Sequence, residues 1–129
     1  MITLKKYHGL GNDYLIYDPN VNEEVLSERQ VQLLCRRNIG VGADGILYGP
    51  FFADGGITMR IFNPDGSEAE RSGNGIRIFS KYLKDAGYVK GQMYALTTKA
   101  GTVQVEFLEQ DGTQMKVDMG YAGFGADVV

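Results

Sequence analysis

The sequence predicts an α+β fold: a curled, antiparallel β-sheet wrapped around one central apolar helix, with one further helix beside it. Three observations carry that reading. Short strand-like runs recur along the chain between turns rich in glycine and asparagine. One segment, Ser72 to Leu83, opens on Ser-Gly-Asn-Gly and sets Ile76, Phe79 and Leu83 on a single helical face. The chain has 129 residues, 43% hydrophobic and 22% charged, which is enough for a core of its own. No internal repeat, low-complexity tract or linker interrupts it, so residues 1–129 read as a single domain.

The elements follow in order. Residues 2–7 alternate loosely, Ile2 and Leu4 apolar against Lys5 and Lys6, and predict a strand. His8 to Asp13 (HGLGND) is a turn, and Tyr14–Tyr17 a second strand. A polar loop from Pro19 to Glu24 precedes Ser27, which forms a capping box with Gln30 and starts a helix. That helix carries Val31, Leu34 and Cys35 and ends at Arg36-Arg37, whose charges suit the negative helix end. Asn38–Asp44 is a glycine-bent loop, Gly45–Tyr48 a short strand, and Pro50–Gly56 a surface connection. Ile57–Phe62 predicts a strand that enters a turn at Asn63-Pro64-Asp65-Gly66, with a short acidic loop after it. The central helix stops near Asp85-Ala86-Gly87. Three strands follow, Met93–Thr98, Thr102–Leu108 and Gln114–Met119, paired as hairpins about Ala100-Gly101 and Glu109–Thr113. The last ten residues carry no clear element.

Composition narrows the function classes. A net charge of −3, a pI near 5.1 and no Lys/Arg stripe argue against nucleic acid. A single cysteine, Cys35, rules out an internal disulfide and suits a reducing compartment or indifference to redox. No apolar run reaches about 18 residues and no signal-peptide pattern is visible, so no membrane partner is expected and the default location is cytoplasmic.

The candidate chemistry gathers around Ser72-Gly73-Asn74-Gly75. A glycine-flanked helix start offers backbone N–H groups at a positive helix end, suited to a carboxylate. Ser72 stands at the mouth of that site, either as a catalytic position, as an N-cap, or as both. A cysteine there would be acidified, to a pKa of roughly 3.5–7.5, whereas a serine hydroxyl is no base without an activating neighbour. Asn63 and Asn74 could hydrogen-bond an amino acid's ammonium and carboxylate, or serve their turns. Glu68 and Glu70 form either an acid–base pair or a complement to the helix dipole, the second being the better account. His8, the only histidine, has no partner at metal-ligand spacing and is read as loop packing in preference to a general base. Cys35 lies on the apolar face of its helix as an inert thiol. Gly40-Val41-Gly42 lacks the third glycine and the context of a dinucleotide fingerprint. No metal site is expected.

Three segments together resemble diaminopimelate epimerase, a family of cofactor-independent amino acid racemases: HGLGNDYLIYD (8–18), NIGVGADGIL (38–47) and MRIFNPDGSEAERSGNGIRIFSKYL (59–83). The later strands, through TTKAGTVQVEF and MKVDMG, fit the family more loosely. The resemblance implies two similar domains, each a sheet around a central helix, with a small amino acid substrate between them. This chain corresponds to the N-terminal domain. The implied reaction interconverts LL- and meso-diaminopimelate, on the lysine and peptidoglycan route, by two cysteines on opposite sides of the substrate Cα, without pyridoxal phosphate or metal. Carried over by position, Asn12 and Asn63 match substrate contacts, Gly73 and Asn74 the carboxylate-binding backbone, and Ser72 the first catalytic cysteine. The chain departs from the pattern at Ser72 itself, at Pro64, and at Gly45, where many members carry a polar residue. By the same resemblance the second domain and its cysteine are expected to be absent from these 129 residues, and either change is expected to abolish two-base racemisation. Ser72 is then an engineered change that traps substrate, a natural variant with one-sided chemistry, or the mark of a non-catalytic relative. Two other readings stand beside the epimerase: a racemase of another amino acid, and an amino-acid-binding or assembly module. A half with its cleft wall exposed is expected to form homo-oligomers.

Overall fold

Two apolar stretches, Tyr14–Tyr17 and Ile46–Tyr48, do not alternate as a half-solvated strand would, because both of their faces are buried. Tyr14, Ile16 and Leu47 turn to one side and join the core around the central helix. Leu15, Tyr17, Ile46 and Tyr48 turn to the other and meet Val31 and Cys35 of the first helix. The computed structural model describes residues 3–9, 11–36, 43–53, 55–70, 72–109 and 114–118. Expectations for residue 2, Leu10, Arg37, most of the 38–44 loop, most of the Glu109–Thr113 turn, Met119 and the final ten residues lie outside these.

Along the described chain run β1 (Lys5–Gly9), β2 (Asn12–Tyr17), α1 (Glu28–Cys35), β3 (Gly45–Ala53), β4 (Gly56–Phe62), β5 (Glu68–Ala69), α2 (Gly73–Asp85), β6 (Met93–Thr98), β7 (Gly101–Phe107) and β8 (Met115–Asp118). They form one sheet in the order β1-β2-β3-β4-β6-β7-β8, with β5 paired to β4. Helix α2 touches β1, β2, β3 and β8, so the sheet curls until strands at its two ends meet the same helix. This is why burial on α2 goes beyond the expected face of Ile76, Phe79 and Leu83 to Ile78, Ser80 and Tyr82.

The expectation of an antiparallel sheet needs one correction. β2 pairs with β3, and β4 with β6, in parallel. Each pair is separated in sequence by a helix, and a chain that crosses a sheet through a helix returns in the same direction. The remaining pairs are antiparallel. A second correction concerns Pro50–Gly56. β3 continues through Pro50 to Ala53, because a register shift between Tyr48 and Phe51 takes up the residue that cannot donate to the ladder. The HGLGND turn is likewise tighter than expected: His8 and Asp13 are cross-strand partners, and Gly9 pairs with Asn12. Within the acidic loop the two residues of β5 pair with β4, where the sequence carries no strand signal.

Candidate functional site at the α2 N-terminus

The topology brings the β1–β2 turn, the start of β3, the end of β4 and the start of α2 to one end of the sheet. Helix α2 begins as its sequence requires. Ser72, extended at φ −153°, caps it, and Oγ accepts the Gly75 N–H at 3.0 Å. Gly73 follows at the first helical position, where its N–H has no acceptor inside the helix. A β-carbon at Gly73 would meet nothing within 4 Å, so the backbone there is open to close approach.

A chain of side-chain hydrogen bonds crosses this end. Asn74 Nδ2 donates to Asn12 Oδ1 at 2.6 Å, and Asn12 Nδ2 donates to Asp44 Oδ2 at 3.4 Å. The same Asp44 oxygen accepts the backbone N–H of Asp13 at 2.7 Å, while the Asp44 N–H donates to the Asp13 carbonyl at 2.8 Å. The carboxylate of Asp44 therefore orients the Asn12 amide, with its nitrogen toward β3 and its oxygen toward α2. Tyr14, on β2, reaches the site from below, its hydroxyl 3.3 Å from Ser72 Oγ.

Of the residues singled out in the sequence, Asn12, Ser72, Gly73 and Asn74 thus meet in one place. Asn63 stands at the same end, just after β4, but its amide serves its own turn: Nδ2 donates to Ser67 Oγ at 3.0 Å and the backbone N–H to the Ser67 carbonyl at 2.8 Å. No hydrogen bond among the described residues joins it to Asn12 or Asn74. Glu68 is taken up by Arg60, whose Nη2 and Nε donate to its two oxygens at 3.0 and 3.2 Å. Those bonds hold the Glu68 carboxyl below its usual range, and Glu70 is solvent-exposed, so an acid–base pair of the two is not formed. His8 does not pack a loop either. It lies on β1 with an exposed side chain, and Nδ1 contacts the Asp13 carboxylate across the strand pair. Cys35 is 5% exposed on the α1 side of the sheet, on the face opposite α2, where its carbonyl accepts the Ala43 N–H at 3.3 Å.

Asp44 and Tyr14 also belong to the site. Both lie inside the motif segments, yet neither carries a local signal. Asp44 matters because it is one residue before a strand whose neighbour starts at Asn12. Tyr14 matters because its register partner is Gly45.

The sequence model of the family described as diaminopimelate epimerase matches residues 4–124. Among curated relatives, diaminopimelate epimerase 2 of a Nostoc species is 45% identical over 120 residues, covering 92% of this chain and 42% of its own. Diaminopimelate epimerase of Methanothermobacter thermautotrophicus is 42% identical, covering 100% of this chain and 47% of its own. This chain therefore spans less than half the length of these relatives. Among solved structures, a PhzF-family phenazine biosynthesis protein of Bacillus anthracis shares the fold at a TM-score of 0.58 and 21% identity, over 90% of this chain and 38% of that one. No helix among the described residues is long and apolar enough to cross a membrane. With the family's sequence model matched over residues 4–124, and with Asn12, Asp44, Ser72 and Asn74 of the three motif segments brought together at one helix start, the chain belongs to the diaminopimelate epimerase family.

Proposed function

We propose that this chain is the N-terminal half of an isomerase that inverts the Cα of LL-diaminopimelate, and that the α2 N-terminus is its seat for the substrate carboxylate. The observation that carries the reading is the Asp44–Asn12–Asn74 chain beside Ser72, which ties segments 8–18, 38–47 and 59–83 to one point. The N–H groups and positive end of α2 suit an anion, and they are preorganised, since the helix is buried along most of its length. A carbanion-like transition state at Cα gains most from a fixed positive field at the adjoining carboxylate. Asn12 and Asn74 supply amides that hold the substrate in register, with Asn63 completing that end.

Position 72 is the proton-transfer position of this half, and serine impairs it. A hydroxyl that caps α2, with no strong base beside it among the described residues, takes no Cα proton near neutral pH. The opposing group comes from a second half of similar build. The chain as it stands binds substrate without inverting it.

Amide chemical shifts test this directly. Titration with meso-diaminopimelate is expected to shift the Gly73, Asn74 and Gly75 signals saturably, while histidine and lysine leave them in place. Shifts with histidine or lysine and none with diaminopimelate would give the pocket to another amino acid. No shift with any of them would remove the substrate reading.

A further inference from the structure

Tyr14 is 8% exposed, and most of its ring belongs to the core around α2. Its hydroxyl nevertheless surfaces beside Ser72, 3.3 Å from Oγ. Gly45 makes this possible. A β-carbon there would lie 2.6 Å from the Phe62 carbonyl oxygen and 3.0 Å from Tyr14 Cε1. The ring thus lies in the space that a side chain at position 45 would claim, and the fixed Phe62 backbone bars any compromise.

We propose that Tyr14 is a positioning residue for the side chain at 72, donating its O–H to the γ atom and holding it in place against the Gly75 N–H. Two donors then converge on that atom, one from β2 and one from α2, and Ser72's own proton is left to point into the open mouth. The pairing of Tyr14 with Gly45 is what builds the second donor into the site. This rests on reading position 72 as the proton-transfer position, and it adds a residue that sets how that position behaves. A sulfur at 72 would receive the same two hydrogen bonds, which favour the thiolate over the thiol.

The test uses the chain with Cys35→Ala and Ser72→Cys, which carries a single thiol, with and without Tyr14→Phe. The alkylation rate by iodoacetamide is followed against pH. Loss of the phenol is expected to raise the midpoint by about one pH unit, roughly a tenfold loss of thiolate near neutrality. Superimposable profiles overturn the proposal. Should those variants not fold, amide hydrogen exchange at Gly75 in the Ser72 chain decides it. Tyr14→Phe is expected to speed exchange at Gly75 several-fold more than at Phe79 in the middle of the same helix, and an equal change at both overturns it. Neither measurement uses substrate, so the result stands apart from whether diaminopimelate binds.

Discussion

Asp18 shows how much a single buried carboxylate can organise. It is 3% exposed at the end of β2, opposite the candidate site, and every donor to its carboxylate among the described residues is neutral. Tyr88 donates to Oδ2 at 2.7 Å, Tyr82 donates to the same oxygen, and Asn20 donates twice to Oδ1, at 2.8 and 2.9 Å. These bonds tie the strand to the C-terminal turn of α2 and to the segment that follows it. Burial, and then the Asp18 hydrogen bond, push Tyr88 up to about 12 and Tyr82 further in the same direction. A phenol whose folded pKa is raised contributes stability that is whole below its unfolded value of about 10. That contribution is lost as pH climbs through the folded value, here about 12 for Tyr88. Urea midpoints are therefore expected to fall steadily from about pH 10 upward. Tyr88→Phe is expected to cost about 1 kcal/mol near neutral pH, where a donor to Asp18 is missing, and to make the alkaline fall shallower. The fall is reduced and not abolished, since Tyr7, Tyr17 and Tyr94 are raised by burial as well. An unchanged slope in Tyr88→Phe would exclude Tyr88 as a source of the fall.

At the scale of elements, helix α1 and the turn after β4 hold each other. Gln32 Nε2 donates to the Asp65 carbonyl at 2.7 Å, and the Asp65 carboxylate accepts the Ser67 hydroxyl and N–H at 2.6 and 2.9 Å. Gly66 sits in the left-handed region at φ +92°, where a β-carbon would lie 2.3 Å from Glu28 Cγ and 3.0 Å from the Glu28 carbonyl oxygen. Gly66→Ala therefore meets backbone strain and a packed helix together, and is expected to cost about 1–3 kcal/mol in a denaturant titration. A loss within error of zero would mean that α1 does not brace this turn. At the N-terminus of α1, Ser27 Oγ accepts the Gln30 N–H at 3.2 Å while the Gln30 side chain accepts the Ser27 N–H at 2.9 Å. Ser27→Ala is expected to cost about 1 kcal/mol by the same measurement. Both features were legible in the sequence, because Asn-Pro-Asp-Gly and Ser-x-x-Gln are local signals read over four residues. The extension of β3 through Pro50 was not, since proline is a breaker until a register shift gives it a place. The parallel pairings and the reach of Asp44 and Tyr14 were equally hidden. Each depends on which strands become neighbours, and that is settled by packing far along the chain. Asn12, Ser72 and Asn74 could be picked out because glycine-rich turns mark them.

Across the whole molecule, the two faces of the sheet are covered unequally. The inner face wraps α2, while α1 covers the outer face over β2, β3 and the end of β4, where Leu15, Tyr17, Ile46, Tyr48 and Phe62 form one cluster with Val31 and Cys35. The β6–β7 hairpin sends Leu96, Val103, Val105 and Phe107 inward, so its other side faces out with no helix against it among the described residues. Met93, 58% exposed, and Leu108, 53% exposed, fall on that outer side near one another, because Met93 pairs with Glu106 two residues before Leu108. Apolar side chains left in water at the end of a sheet favour association with a like surface. The chain by itself is accordingly expected to self-associate, its sedimentation coefficient rising with concentration. Met93→Glu with Leu108→Glu is expected to restore the monomer without lowering the thermal midpoint, since neither side chain belongs to the core. A monomer at every concentration would end the idea of self-association, and dimers that survive both changes would move the contact to another face.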